Sequence, residues 1–182
     1  MKEKSYLFET ERLKAREFES GDKIFLSPFK EDPAQLKYMM FRLASDKEID
    51  EFMDYALGQA SEKPRKEYHL ALEEKESGTF VGSVALMIEK KANTSAELGY
   101  WFHRGCWGKG YATEASLEMI RFGFGEAKLH RIWGECHTAN KASARVMEKC
   151  GMKLEGEIRE HVWFGDHYRS SYLYSILENE FT

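Results

Sequence analysis

The chain has 182 residues, about the length of one domain, and residues 1–182 are expected to fold as a single unit. With 42% hydrophobic and 32% charged residues it can bury a core and stay dissolved, which excludes intrinsic disorder. A formal net charge of -4 argues against broad nucleic-acid binding, and no apolar run reaches the roughly 18–20 residues of a membrane-spanning helix.

Met1–Glu11 carries charge throughout and has no apolar stretch of the kind a secretory signal needs. Leu13–Phe18 alternates apolar and polar residues, as a half-buried strand does. Gly21-Asp22 opens a short helical stretch through Leu26. Ser45 with Glu48 is a helix-start signature, and Ile49, Phe52, Met53, Ala56 and Leu57 then fall on one face of an amphipathic helix. From residue 67 the period changes to two. Glu67–Glu74 and Thr79–Glu89 read as strands joined at Ser77-Gly78, Asn93–Ser95 as a turn, and Glu97–Phe102 as a third strand. Arg104–Gly110 holds Gly105, Gly108 and Gly110 and reads as a loop. Ala112–Phe124 is helical, Arg131–His137 a strand, and Asn140–Cys150 a short helix stopped by Gly151. Leu154–Phe164 and Tyr168–Leu177 flank the hairpin-like turn Gly165-Asp166. Antiparallel strands, then strand–helix–strand–helix, then a hairpin, make a mixed α/β or α+β sheet.

Cys106, Cys136 and Cys150 are too few for a disulfide framework and suit a reducing cytoplasm. His103 and Cys106 stand three apart but lack a second ligand pair, so no metal is expected.

The chemistry concentrates in residues 97–115, where a strand ends in a glycine-rich loop that feeds a helix. A helix N-terminus exposes unpaired N–H groups at the positive end of its dipole, and glycines let the backbone approach a ligand. Together they form an anion cradle. The phosphate-loop pattern GxxxxGK[ST] fails because Tyr111 stands where Lys is required, and GxGxxG fails at Thr113. A shorter loop, Gly108–Ala112, fits.

These residues resemble the GNAT superfamily of acyl-CoA-dependent N-acetyltransferases, and most of all its ribosomal-protein N-terminal acetyltransferase branch, the RimJ/RimL type. The resemblance runs from an opening strand at Glu9–Leu13 through Gly82, Glu97–Trp101, Trp107–Ala115, Asn140–Ser143, Lys149–Met152, Glu155–Arg159 and Tyr168-Arg169. The family's pyrophosphate motif, R/Q-x-x-G-x-G/A, lands on Trp107–Ala112, with Trp107 replacing the usual Arg or Gln. The resemblance implies a GNAT fold: a mixed, mostly antiparallel sheet of about seven strands, helices on both faces, and a V-shaped splay between strands 4 and 5. It implies acetyl-CoA as acyl donor and a primary amine as acceptor, a protein N-terminal α-amine first and a small amine or polyamine as rival. Direct attack in a ternary complex is implied, in the cytoplasm, without nucleic acid or membrane, and a homodimer is left open.

Under that resemblance the cofactor is held by the backbone around Trp101, Phe102 and His103, by Trp107, Gly108, Lys109, Gly110, Tyr111, Ala112 and Thr113, and by Asn140 and Ser143. Many family members protonate the leaving thiolate with a Tyr at the position of Met147, which leaves Ser143 as the candidate acid. Glu97 and Glu160 are the candidate bases, and strict alternation turns His161 to the other face from Glu160. The plain readings are a tight turn for Gly108 and Gly110, a helix cap for Asn140, a solvated Ser143, and core packing for Tyr100, Trp101, Phe102 and Trp107. A CoA-binding sensor without turnover and a nucleotide-phosphate enzyme are the rival functions.

Overall fold

The computed structural model describes residues 5–39, 43–89 and 94–181. Strands β1 (Tyr6–Glu9), β2 (Leu13–Glu17), β3 (Glu67–Glu74), β4 (Phe80–Ile88), β5 (Ser95–Phe102), β6 (Arg131–His137), β7 (Lys153–Trp163) and β8 (Tyr168–Leu177) form one sheet in the order β1-β2-β3-β4-β5-β6-β8-β7. Every neighbouring pair is antiparallel except β5 with β6. The helices are α1 (Lys23–Leu26), α2 (Pro33–Leu36), α3 (Asp46–Ser61), α4 (Tyr111–Gly125) and α5 (Lys141–Lys149). This is the expected mixed sheet with helices on both faces, carrying one strand more than expected.

The extra strand corrects the reading of Glu9–Leu13. Glu9 ends β1 and Leu13 begins β2, and between them the chain turns: the Thr10 amide donates to the Leu13 carbonyl at 2.9 Å, and the Leu13 amide donates to the Thr10 hydroxyl at 2.9 Å. The segment is a hairpin turn between β1 and β2, with Arg12 at its tip. Of the expected turn at Asn93–Ser95, Asn93 lies outside the described residues, and Ser95 already belongs to β5.

Period-two alternation divides the sheet's side chains between two cores. Leu70 and Leu72, Val84 and Leu86, and Leu98 and Phe102 pack with Ala115, Met119 and Ile120 of α4 and Met147 of α5. Ala71, Phe80 and Trp101 pack on the opposite face with Leu26, Phe29, Ile49, Met53 and Ala56. Helix α3 begins as expected: the Ser45 hydroxyl accepts from the Glu48 amide at 3.3 Å, and the Glu48 carboxylate accepts from the Ala44 amide at 3.0 Å. Arg16 is buried on β2 and bridges Asp22 and Glu73. Such a buried ion network ties the segment leading into α1 to the sheet. None of the described helices is long and apolar enough to cross a membrane.

Gly82 has a geometric reason to be glycine. A Cβ there would lie 2.3 Å from the Trp101 carbonyl oxygen and 2.8 Å from the Phe102 Cα, both backbone atoms that cannot swing aside. Gly82→Ala is therefore expected to destabilise the fold by about 3 kcal/mol, the upper end of overpacking costs. Urea unfolding of the variant checks this; unchanged stability would contradict so close an approach of β4 to β5.

Candidate active site

The site begins where two parallel strands part. β5 and β6 pair only at Ser95–Glu97 with Arg131–Trp133. Beyond that point β5 stays with β4 as far as Phe102, and β6 stays with β8 as far as His137. Each strand follows its antiparallel neighbour, and a V opens between them. Peptide groups alternate direction along a strand. The Ser95 carbonyl accepts from Glu89 and the His103 amide donates to Val81, so the odd-numbered residues of β5 face β4. Tyr100 and Phe102 therefore direct their amides into the gap, where β6 no longer pairs with them.

The loop leading to α4 sits at the end of β5. Gly108 and Gly110 have φ of 75° and 86°, the left-handed conformation that glycine adopts without steric cost. Trp107 does not replace the missing Arg or Gln as a phosphate-facing charge. Its indole Nε1 donates to the Phe102 carbonyl at 2.8 Å and ties the loop to the end of β5. α4 starts at Tyr111, so the amides of its first turn have no intrahelical acceptor. Among the described residues, no protein carbonyl accepts from the amides of Gly108, Lys109, Gly110, Tyr111, Ala112 or Thr113. The turn is a run of main-chain donors left without a protein carbonyl.

α5 brings Asn140 and Ser143 to the same region. Asn140 is the helix cap, with its Oδ1 accepting from the Ser143 amide at 3.2 Å. Ser143 is not a merely solvated helix residue. The Tyr100 hydroxyl lies 2.9 Å from its Oγ and donates to its carbonyl at 3.1 Å. Burial pushes the Tyr100 phenol up, so it stays neutral and a hydrogen-bonding group. Met147 is buried against Gly134, where an added Cβ would lie 3.0 Å from its sulfur. The side chain at this position fills core space and offers no proton.

The other face of the V is acidic. Glu97 is pushed up to about 7, chiefly by burial and then by the charges of Glu135, Glu89 and Glu67. Each of those three neighbours has a partner. Glu67 accepts from the Tyr55 hydroxyl at 2.5 Å, Glu89 from the Trp133 indole at 2.9 Å, and Glu135 lies 3.0 Å from His161 Nε2. Among the described residues, the Glu97 carboxyl has no hydrogen-bond or ion-pair partner. The early helical segment and the final hairpin meet over this face: Arg169 Nη1 donates to the Lys37 carbonyl at 3.0 Å.

Four expectations from the sequence change. The His103 amide is engaged by Val81, and its ring packs between Phe29 and Phe80, where burial holds its pKa down. Trp101 is buried in the same aromatic cluster, and its peptide, like that of His103, faces β4; Phe102, already expected, and Tyr100 direct their peptides into the gap. Glu160 is exposed in a bulge with φ of 47°, its amide donating to Ser170 Oγ at 3.0 Å. Among the described residues, no hydrogen bond or ion pair joins it to Glu97 or Ser143. The same bulge, between Ile158 and Val162, breaks the alternation and lets His161 reach Glu135. Sequence reasoning also missed Tyr100 as a partner of Ser143, and Arg12 and Glu114, which brace the loop. A phenol one residue before Trp101 and a Glu in the first turn of α4 were visible signals, but nothing local gives their partners.

Comparison with known proteins bears on this geometry. Residues 12–153 match the family described as acetyltransferase (GNAT) domain. An uncharacterized N-acetyltransferase, YnaD, of Bacillus subtilis (strain 168) is 30% identical over 171 residues, covering 94% of this chain and 96% of the relative. Among solved structures, a GNAT-family acetyltransferase from Bacillus anthracis superposes with a TM-score of 0.82 at 29% identity, covering 94% of this chain and 98% of that one. A spermidine N-acetyltransferase from Vibrio cholerae, solved with CoA and spermine, shares the fold at a TM-score of 0.77 and 22% identity, covering 92% and 96%. Ribosomal-protein acetyltransferases also stand among the relatives.

Proposed function

This chain belongs to the acetyltransferase (GNAT) family, whose members take acetyl from acetyl-CoA to an amine, and we propose that it acts on a protein N-terminal α-amine through the residues gathered at the V. The observation that supports this best is the joint placement of the parted strands and the outward amides at 108–113. A diphosphate would rest on those amides, with Lys109 adding its charge. The pantetheine arm would then run between β5 and β6 past Tyr100 and Phe102, whose amides stabilise the oxyanion formed as the amine attacks the thioester. Asn140 holds the first turn of α5, so Ser143 keeps its place beside the arm.

Glu97 is the base in this reading. It is the carboxyl of its group without a partner, and a value near 7 lets it take a proton from an ammonium at neutral pH. Attack forms the N–C bond, the tetrahedral intermediate expels the CoA thiolate, and Ser143 hydrogen-bonds or protonates the departing sulfur. Tyr100 orients that hydroxyl. No covalent acetyl-enzyme is needed: burial pushes the Cys136 thiol up to about 11, far from a thiolate. The two cores share one sheet, which supports the chain acting as one catalytic unit.

A specific observation favours a second acceptor class. The charges of Glu67, Glu89 and Glu135 reach Glu97 together, and a polyamine has extra cations to place there. Thiol release from acetyl-CoA, followed across peptide N-termini, spermidine and simple amines, separates the two. Release with N-terminal peptides alone supports the first reading and release with polyamines alone moves the acceptor to the second. CoA binding with no release on any amine would remove transfer to an amine.

Ser143→Ala is expected to lower kcat roughly 10–100-fold, with KM for acetyl-CoA unchanged. Tyr100→Phe should lower kcat less, and the double variant should be no slower than Ser143→Ala alone, because the two hydroxyls act as one unit. Additive losses would show that Tyr100 does not work through Ser143.

A further inference from the structure

The loop between Trp107 and Tyr111 has little of its own to hold its shape. Its two glycines sit at positive φ, and its internal bonds lie at its ends, where the Trp107 amide donates to Arg104 and the Glu114 amide to Gly110. The middle is held from elsewhere. Arg12, at the tip of the β1–β2 turn, donates from Nη1 to the Lys109 carbonyl at 2.9 Å. Its Nε and Nη2 lie 2.7 Å and 2.6 Å from Glu114 Oε2 in the first turn of α4. Glu114 Oε1 accepts from the Arg12 amide at 2.8 Å and from the Thr10 hydroxyl at 2.5 Å. The guanidinium lies 4.8 Å from the centre of the Tyr111 ring, and the Tyr111 hydroxyl bonds Glu74. The Arg12 carbonyl is itself fixed by the Lys75 amide at 2.8 Å.

We propose that Arg12 is a positioning residue for the diphosphate end of the donor: it turns the Lys109 carbonyl away from the ligand and neutralises Glu114. This rests on the reading above that the amides at 108–113 take the diphosphate. Two physical effects follow from the contacts. A carbonyl drawn back by a guanidinium leaves its neighbouring peptide N–H groups pointing outward, as an anion requires. A carboxylate in the first turn of a helix competes with an anionic ligand for the same positive end, and pairing it with Arg12 removes that competition. Arg12 touches neither the thioester nor the amine. Its effect should fall on donors that carry a diphosphate and on no others.

The test compares acetyl-CoA with acetyl-pantetheine, which has the same thioester and arm but no diphosphate. In the wild type, KM for acetyl-CoA should be at least tenfold lower. Arg12→Ala should raise KM for acetyl-CoA about tenfold or more, leave KM for acetyl-pantetheine within twofold, and leave kcat at saturating acetyl-CoA within threefold. Arg12→Ala/Glu114→Gln should recover part of the lost affinity, since the exposed carboxylate is gone. If Arg12→Ala does not fold, Arg12→Lys carries the test: it keeps the charge and loses the fork, and should raise KM for acetyl-CoA at least threefold with acetyl-pantetheine unchanged. Equal losses on both donors, or an unchanged KM for acetyl-CoA, would overturn the role of Arg12 alone. A wild type that uses both donors equally well would overturn the loop reading and this proposal with it.

Discussion

Gly110→Glu is expected to abolish acetyl-CoA binding, with a loss of at least about 100-fold in affinity from a carboxylate placed against a diphosphate site. Gly110 has φ of 86°, and a Cβ added there meets Arg12 Nη2 at 3.4 Å, an ordinary contact. Space is therefore not the obstacle. Any side chain carries the left-handed backbone strain, about 1–2 kcal/mol, and Glu adds a negative charge where outward amides would meet phosphate oxygens. Gly110→Ala separates the two effects, because it carries the strain without the charge and should lose only about tenfold. Calorimetric titration of CoA, with circular dichroism to establish folding, checks both. A folded Gly110→Glu variant that retained CoA affinity would remove the loop from the donor site.

Glu97→Gln is expected to lower kcat by roughly 10²–10³-fold and to erase one limb of the pH profile. The wild-type rate should rise with pH and level off above about 7, as burial and the charge of Glu135 place the Glu97 carboxyl there. Its ordinary value is 4.5, so the folded chain holds this proton more tightly than the unfolded chain. The stabilisation tied to that proton is complete below about 4.5 and is lost as the pH rises through about 7. Glu97→Gln, which cannot ionise, should therefore be more stable than the wild type at pH 8 by roughly 1–3 kcal/mol and nearly equal to it at pH 4. Urea unfolding at the two pH values reads this directly. A rate profile that keeps its rising limb in the variant would assign the base elsewhere, and the Glu135–His161 pair would be the next group to change.

Much of the scaffold follows from local patterning. Alternation at Glu67–Glu74 and Arg131–His137 marks strands with the observed bounds, and the Ser45–Glu48 pair marks the start of α3. The placement of Gly108 and Gly110 before an amphipathic run marks the loop, because positive φ and a helix start are both local demands. β1 escaped notice because four residues, Tyr6–Glu9, carry too short a pattern, and what fixes them is pairing with β2. The different settings of Glu97 and Glu160 were equally out of reach. Both lie on strands, and only the bulge at 158–162 turns one outward while neighbouring carboxylates crowd the other.

The sequence by itself determined the order of strands and helices apart from β1 and α2, the family resemblance and the position of the glycine turn before α4. All of these are written in spacings of a few residues. Only the tertiary structure decided which groups meet: Arg12 with Glu114 across 102 positions, Tyr100 with Ser143 across 43, and Glu97 beside Glu135. The physical reason is that hydrogen bonds and burial depend on distance in space. The parting of β5 from β6, which creates the gap, is set by how each strand pairs with its other neighbour.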